Sequence, residues 1–133
     1  MKALDTNVLV RFLVKDDDEQ ARQVYTLFKH AENHQQQLFV PMLVVLETIW
    51  VLQAVYKVDD SDILAALNDL LLMPVLVFET PPVLHAFITA ATGANFDLAD
   101  LLIAHSAREL NCESVLTFDK KAAKFGGFEL IVL

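Results

Sequence analysis

The chain has one cysteine, Cys112, so no disulfide can close within it. A reducing, cytoplasmic setting is expected. No activating base stands near Cys112 in the sequence, which makes it a small, partly buried residue rather than a nucleophile. Only three glycines and four prolines punctuate the chain, leaving no linker, repeat or low-complexity tract. Its 133 residues fit a single domain, residues 1–133. Basic residues are scarce: ten Lys and Arg stand against 18 Asp and Glu, for a formal net charge of −8. That balance argues against a nucleic-acid partner, because phosphates are usually met by a basic face. The objection weakens if carboxylates hold a divalent cation, since a bound ion reverses the local charge. A secretory leader is not expected, because Asp5 interrupts the N-terminal apolar stretch before an h-region forms. Leu38 to Tyr56 is nearly long enough to span a membrane but contains Pro41, Glu47 and Gln53. An acid near mid-membrane costs roughly 2.5–3.5 kcal/mol, so a core helix and no membrane partner are expected.

What the chain has in quantity is apolar surface. Hydrophobic residues make up 55% of it and mean hydropathy is +0.42. Such a surplus means a rich core, apolar surface covered by a partner, or both. Lys2 to Leu4 reads as a strand ending at Asp5, and Thr6 to Val14 as a helix. Asp16-Asp17-Asp18-Glu19 opens a second helix to about Asn33 as a cap and dipole partner; it lacks the alternation and glycine of a calcium loop. Leu38 to Val40 is a second strand, and Met42 to Tyr56 a helix with Pro41 at its start. Asp60 or Ser61 caps a helix to about Met73. Val75 to Phe78 is a third strand stopped by Pro81-Pro82, and Val83 to Ala91 is helical. Asp97 caps a helix to Leu110, followed by strands at Ser114–Thr117 and Leu130–Val132. Short aliphatic runs alternating with helices predict an α/β fold with a mainly parallel sheet of about five strands, covered on both faces.

Four acids sit where the chain is otherwise most apolar. They are Asp5 after Ala3-Leu4, Glu47 after Leu43-Val44-Val45-Leu46, Asp100 in Phe96-Asp97-Leu98-Ala99-Asp100, and Asp119 after Val115-Leu116-Thr117-Phe118. A carboxylate beside a core segment is costly unless something compensates it. In open α/β sheets ligands bind beyond the carboxyl ends of the strands, which is where Asp5 and Asp119 fall. Asp97 and Asp100 share the positive N-terminal end of one predicted helix. Glu47 lies inside an apolar helix with no Lys or Arg within one turn, so a surface position is not expected for it. Each acid alone has a simpler account: Asp5 and Asp97 as helix caps, Asp119 as a turn residue. Together they suggest a shared hard cation, Mg²⁺ or Mn²⁺, held by oxygen ligands. Such an ion would be placed for in-line attack on a phosphodiester. His30, His34, His85 and His105 do not form a zinc set.

At these residues the chain resembles the PIN-domain nucleases, and among them the VapC toxins of toxin–antitoxin pairs. The matching pieces are Leu4-Asp5-Thr6-Asn7-Val8-Leu9, Val45-Leu46-Glu47, Asp97-Leu98-Ala99-Asp100-Leu101-Leu102-Ile103-Ala104 and Leu116-Thr117-Phe118-Asp119. The resemblance covers nearly the whole chain. It implies a three-layer α/β/α sandwich and a magnesium- or manganese-dependent endoribonuclease giving 5′-phosphate and 3′-hydroxyl products. Asp5 and Asp100 then resemble the main metal ligands, Glu47 a further or water-mediated ligand, and Asp119 a more variable fourth acid. Asp97 resembles an outer acid, and Thr6, Asn7 and Thr117 supporting polar residues. The family also implies an RNA substrate, a homodimer, and a small cognate antitoxin that blocks the site, with an arginine or lysine drawn to its acids. Lys120, Lys121 or Arg11 are the basic residues placed to guide an RNA backbone.

Two other classes remain open from the residues. One is a non-catalytic α/β interaction module that keeps its acids for structure. The other is a phosphoryl-transfer protein. An aspartyl phosphatase would carry a second Asp two residues after the first, where this chain has Asn7. A receiver-like domain would pair acids at the first strand and place an acceptor Asp after a middle strand.

Overall fold

A computed structural model describes residues 1–132. Its contacts divide the chain into two compact units, Met1–Thr80 and a second beginning at Pro81.

The first unit is a parallel sheet with four helices. Strand β1 (Lys2–Ala3) leads into α1 (Thr6–Leu13), and α2 (Asp18–Asn33) follows. Then come β2 (Leu38–Val40), α3 (Met42–Ala54), α4 (Asp60–Leu71) and β3 (Leu76–Phe78). The strand order is β1-β2-β3, with Ala3 opposite Phe39 and Phe39 opposite Val77. Parallel neighbours need crossovers, and helices supply them. The carboxyl ends of the three strands therefore lie on one edge of this sheet, which is where Asp5 and Glu79 emerge. The acidic run at the head of α2 caps as expected: Asp17 accepts from the Gln20 N–H at 3.0 Å. Asp16 instead takes the Arg11 guanidinium at 3.1 Å and the Tyr56 hydroxyl at 2.9 Å.

Helix α3 corrects one expectation. It is apolar on nearly every side, so it cannot bury every side chain against one neighbouring layer. Val45, Thr48, Ile49 and Leu52 take the buried face. Leu43, Glu47 and Trp50, spaced by four and three residues, form the opposite stripe, and Leu43 and Trp50 are 79% and 60% exposed. Glu47 is exposed between them rather than enclosed.

The second unit holds α5 (Pro81–Ala91), α6 (Leu98–Glu109), β4 (Val115–Thr117), a 3₁₀ turn (Ala122–Lys124) and β5 (Phe128–Leu130). Helices α5 and α6 pack together, burying Leu84, Phe87, Leu98, Leu101 and Leu102. Strands β4 and β5 pair in parallel, Val115 opposite Phe128. The five expected strands are present and every pairing is parallel, hydrogen-bonded as a three-stranded and a two-stranded ladder.

Boundaries differ from the sequence expectation in two instructive places. Pro81 and Pro82 lie inside the first turn of α5 instead of ahead of it. There a missing N–H costs nothing, since first-turn donors have no helical partner. Strand β5 starts two residues earlier than expected because Gly127 lies tight against α6. A Cβ on Gly127 would stand 2.9 Å from that of Ala104, so only glycine lets the chain pass and begin pairing at once. Cys112 is exposed, not partly buried, because α6 has already ended. Asn111 turns left-handed there (φ 65°) and the Cys112 N–H reaches back to the Ala107 carbonyl at 3.1 Å.

Candidate metal centre

In the first unit, Asp5 is the N-cap of α1. Its backbone is extended (φ −84°, ψ 161°) and its Oδ1 accepts from the Thr6 N–H at 2.7 Å. The Leu4 N–H continues the ladder to the Phe39 carbonyl at 2.8 Å, so Asp5 stands one residue past the paired strand. Thr6 is buried beneath the cap, while Asp5 and Asn7 are exposed. Asn7 opens onto a groove of about 330 Å³ shared with Val8, Gln20 and Leu27. Glu47 lies in the second turn of α3, solvent-facing.

A further acid on this edge escaped the sequence reading. Glu79 directly follows β3, and its Oε1 accepts from the Met42 N–H, a long 3.4 Å contact at the start of α3. The signal was available: a carboxylate immediately after an aliphatic strand, as at Asp5. Its role in the structure is to cap α3, whose N-cap residue Pro41 offers no side-chain acceptor.

Arg11 does not serve as a free guide for a phosphate backbone. Its guanidinium donates to Gln20 at 2.6 Å, Asp16 at 3.1 Å and Tyr56 at 3.0 Å, tying the end of α1 to the head of α2 and the segment after α3.

In the second unit three acids gather. Asp97 is the N-cap of α6, its Oδ1 accepting from the Asp100 N–H at 3.0 Å. Asp119 pins the turn after β4: its N–H donates to Thr117 Oγ1 at 3.0 Å, and its Oδ1 accepts from the Lys121 N–H at 2.9 Å. The Thr117 hydroxyl accepts the first of these bonds and so fixes the backbone of Asp119. Asp97, Asp100 and Asp119 line one recess of about 70 Å³ together with Lys121, Phe96, Phe125 and Phe128. The aromatic walls have no local signal in the sequence, because Phe125 reaches the acids past the 3₁₀ turn and Phe128 past Gly126-Gly127.

Electrostatics single out Asp100. Its carboxyl is pushed above the ordinary carboxylate range, first by burial and then by the charges of Asp97 and Asp119. Asp97 and Asp119 spend an oxygen on backbone donors, and Asp100 does not. A crowded, part-buried carboxylate of this kind is relieved by a cation.

The chemistry of the donors fits a hard divalent ion: all are carboxylate oxygens, and the recess is several times the volume one water needs. Among the described residues, however, no three His, Cys, Asp or Glu side chains form a ready-made metal cluster. Two of the three acids here face their capping donors instead. His30 and His34 stack with ring centroids 4.1 Å apart, and His34 Nδ1 lies 2.8 Å from the His30 carbonyl. No helix of the described residues is long and apolar enough to cross a membrane.

A family model described as the PIN domain matches residues 2–127. A protein named VapC ribonuclease from Aquifex aeolicus (strain VF5) is 26% identical over 126 residues, which cover 95% of this chain and 93% of that protein. The helices and parallel strands of both units have the α/β class of that family and are consistent with a three-layer α/β/α sandwich. With nearly its full length matched, this chain belongs to the PIN-domain family.

Proposed function

We propose that the chain is a metal-dependent endoribonuclease, the toxin of a toxin–antitoxin pair, and that its two units act as one nuclease domain. The observation that carries this is the crowding of Asp97, Asp100 and Asp119 around one recess, in a chain matched by one family model from residue 2 to 127. The VapC ribonuclease relative points to RNA as the substrate. In this reading Asp5, Glu47, Asp100 and Asp119 hold a Mg²⁺ or Mn²⁺ ion. Once bound, the ion would supply a more acidic water and neutralise charge on the phosphate.

The chain's own residues do the rest. Asp100 provides an oxygen kept free of backbone donors. Asp97 holds the first turn of α6, and so the backbone of Asp100, in place through its capping bond. Thr117 and the turn bonds of Asp119 fix the second carboxylate. Thr6 is buried under Asp5 and keeps that cap seated. Lys121 at the rim offers the positive charge that the chain as a whole lacks.

A homodimer and a small cognate antitoxin belong to the same proposal. The exposed Leu43 and Trp50 on α3 are the apolar surface such partners would cover. A cytoplasmic location, where an RNA substrate would be met, belongs to the same proposal.

The test is mapping of RNA 5′ ends after induction in cells, with Asp5→Ala as control. New 5′-phosphate ends at discrete sites, absent with the variant, are expected. Equal growth inhibition and identical RNA ends from both chains would favour a non-catalytic interaction module.

A further inference from the structure

The residue after strand β4, Phe118, faces away from the core. Val115 and Thr117 turn towards the unit, while Leu116 and Phe118 turn outward, 65% and 80% exposed. A large aromatic left this open is unfavourable by itself, since burial of apolar area is the main stabilising term available to it. It is also the residue immediately before Asp119. The backbone beneath it is fixed on both sides: Thr117 Oγ1 accepts from the Asp119 N–H, and Asp119 Oδ1 accepts from the Lys121 N–H. The Ile131 N–H holds the Thr117 carbonyl at 2.8 Å. Phe118 is therefore an exposed ring on a rigid base. Lys120, Lys121 and Lys124 follow within six residues, all exposed, in a chain of net charge −8. Lys121 also lines the acid recess.

We propose that Phe118 is a substrate-positioning residue whose ring stacks on one base of single-stranded RNA, with Lys120 and Lys121 meeting the adjoining phosphates. An exposed aromatic ring beside cationic side chains is how single strands are held without reading sequence: every base has a stacking face, and each phosphate has a charge. A duplex is excluded, because its bases are already stacked on one another. The neighbouring Asp119 sets the register, since the base stacked on Phe118 brings its own phosphate towards the carboxylates. The lysines also resolve the charge objection locally, on the same turn that carries an acid.

This inference rests on the ribonuclease reading, and one pair of measurements separates the two. The probes are a fluorescein-labelled 12-nucleotide oligouridylate and a 12-base-pair RNA duplex. Binding is measured with Ca²⁺ in place of Mg²⁺, so that the strand is not cut. Phe118→Ala is expected to bind the single strand roughly 5- to 100-fold more weakly than wild type, with duplex binding unchanged. Phe118→Trp is expected to restore it. Lys120→Gln is expected to lower the slope of log affinity on log salt by about 0.7, one phosphate contact on a single strand. With Mg²⁺, the Phe118→Ala defect is expected in KM more than in kcat.

Single-strand affinity equal to wild type in Phe118→Ala overturns the inference, as does a Phe118→Trp variant no better than alanine. So does a change in oligomeric mass by light scattering with RNA affinity intact, which would make Phe118 a contact between copies of the chain. A wild type that binds through Phe118 but cuts no RNA with Mg²⁺ or Mn²⁺ leaves the stacking standing and overturns the nuclease reading. A wild type that cuts RNA while Phe118→Ala matches it in binding overturns only the stacking.

Discussion

The two units handle their acids in opposite ways. In Met1–Thr80 the carboxylates are kept apart and each has a local task or faces water. Asp5 caps α1, Glu79 reaches the start of α3, and Glu47 stands on an exposed stripe. In the unit beginning at Pro81, three carboxylates are drawn around one small recess. The first arrangement stabilises helices at little electrostatic expense. The second holds Asp100 where burial, and then the charges of Asp97 and Asp119, disfavour its ionised form. A protein keeps such a feature when function needs it, because folding alone would remove it. The crowded carboxylates are thus confined to the second unit, while Asp5 and Glu47 of the first face solvent.

The contrast is open to attack at Asp100 first. Asp100→Asn is expected to lower RNA cleavage on the order of 10³-fold or more, read as product formed per minute with saturating Mg²⁺. The same variant is expected to melt at a higher temperature than wild type in EDTA at neutral pH. The sign follows from the raised carboxyl: the native chain keeps this proton to a higher pH than the unfolded chain does. Stability is therefore lost as pH rises from the ordinary value of 3.8 through the folded value. The asparagine has no proton to lose, so the gap in melting temperature should close by about pH 3. An Asp100→Asn chain that melts below wild type at pH 7 without metal would mean that the acids are not in conflict, and the contrast between units would fail.

Glu47 probes the other side of the comparison. Glu47→Gln keeps shape and exposure, and is expected to reduce activity roughly 10- to 100-fold while leaving the metal-free melting temperature unchanged. A shift in that temperature would show that Glu47 carries structure, like its neighbours on α3. The smallest effect belongs to Asp97. Asp97→Ala is expected to cost about 1 kcal/mol through loss of the cap, measured by denaturant titration in EDTA. Asp97→Asn keeps an acceptor and should recover most of it. Activity that follows the cap, lost in alanine and kept in asparagine, identifies Asp97 as a positioning residue; activity lost in both makes its charge part of the metal environment.

The candidate acids stand out in the sequence because they break local rules. Asp5, Asp97 and Asp119 each interrupt or flank apolar runs, and each lies at the end of an element where the structure puts it. Glu47 is equally conspicuous in the sequence, but its surroundings are not enclosed as its neighbours suggest. An all-apolar helix gives no periodic signal for which face is inside, so its place on the exposed stripe could only come from the packing of its neighbours. Arg11 looks free in the sequence because its partners are not its neighbours: they lie at Asp16, Gln20 and, most distant, Tyr56.

The sequence by itself determined the alternation of helices and parallel strands, an acidic cap within residues 16–19, the cap at Asp97, and which carboxylates stand out from an apolar background. These depend on periodicity and on neighbours a few residues away. Tertiary structure alone decided that Asp97, Asp100 and Asp119 share a recess walled by Phe96, Phe125 and Phe128, that Asp100 bears the strain, and that Phe118 faces out. Those outcomes depend on how the chain returns on itself after β4. That return is set by contacts such as Gly127 against Ala104, which no local pattern of residues encodes.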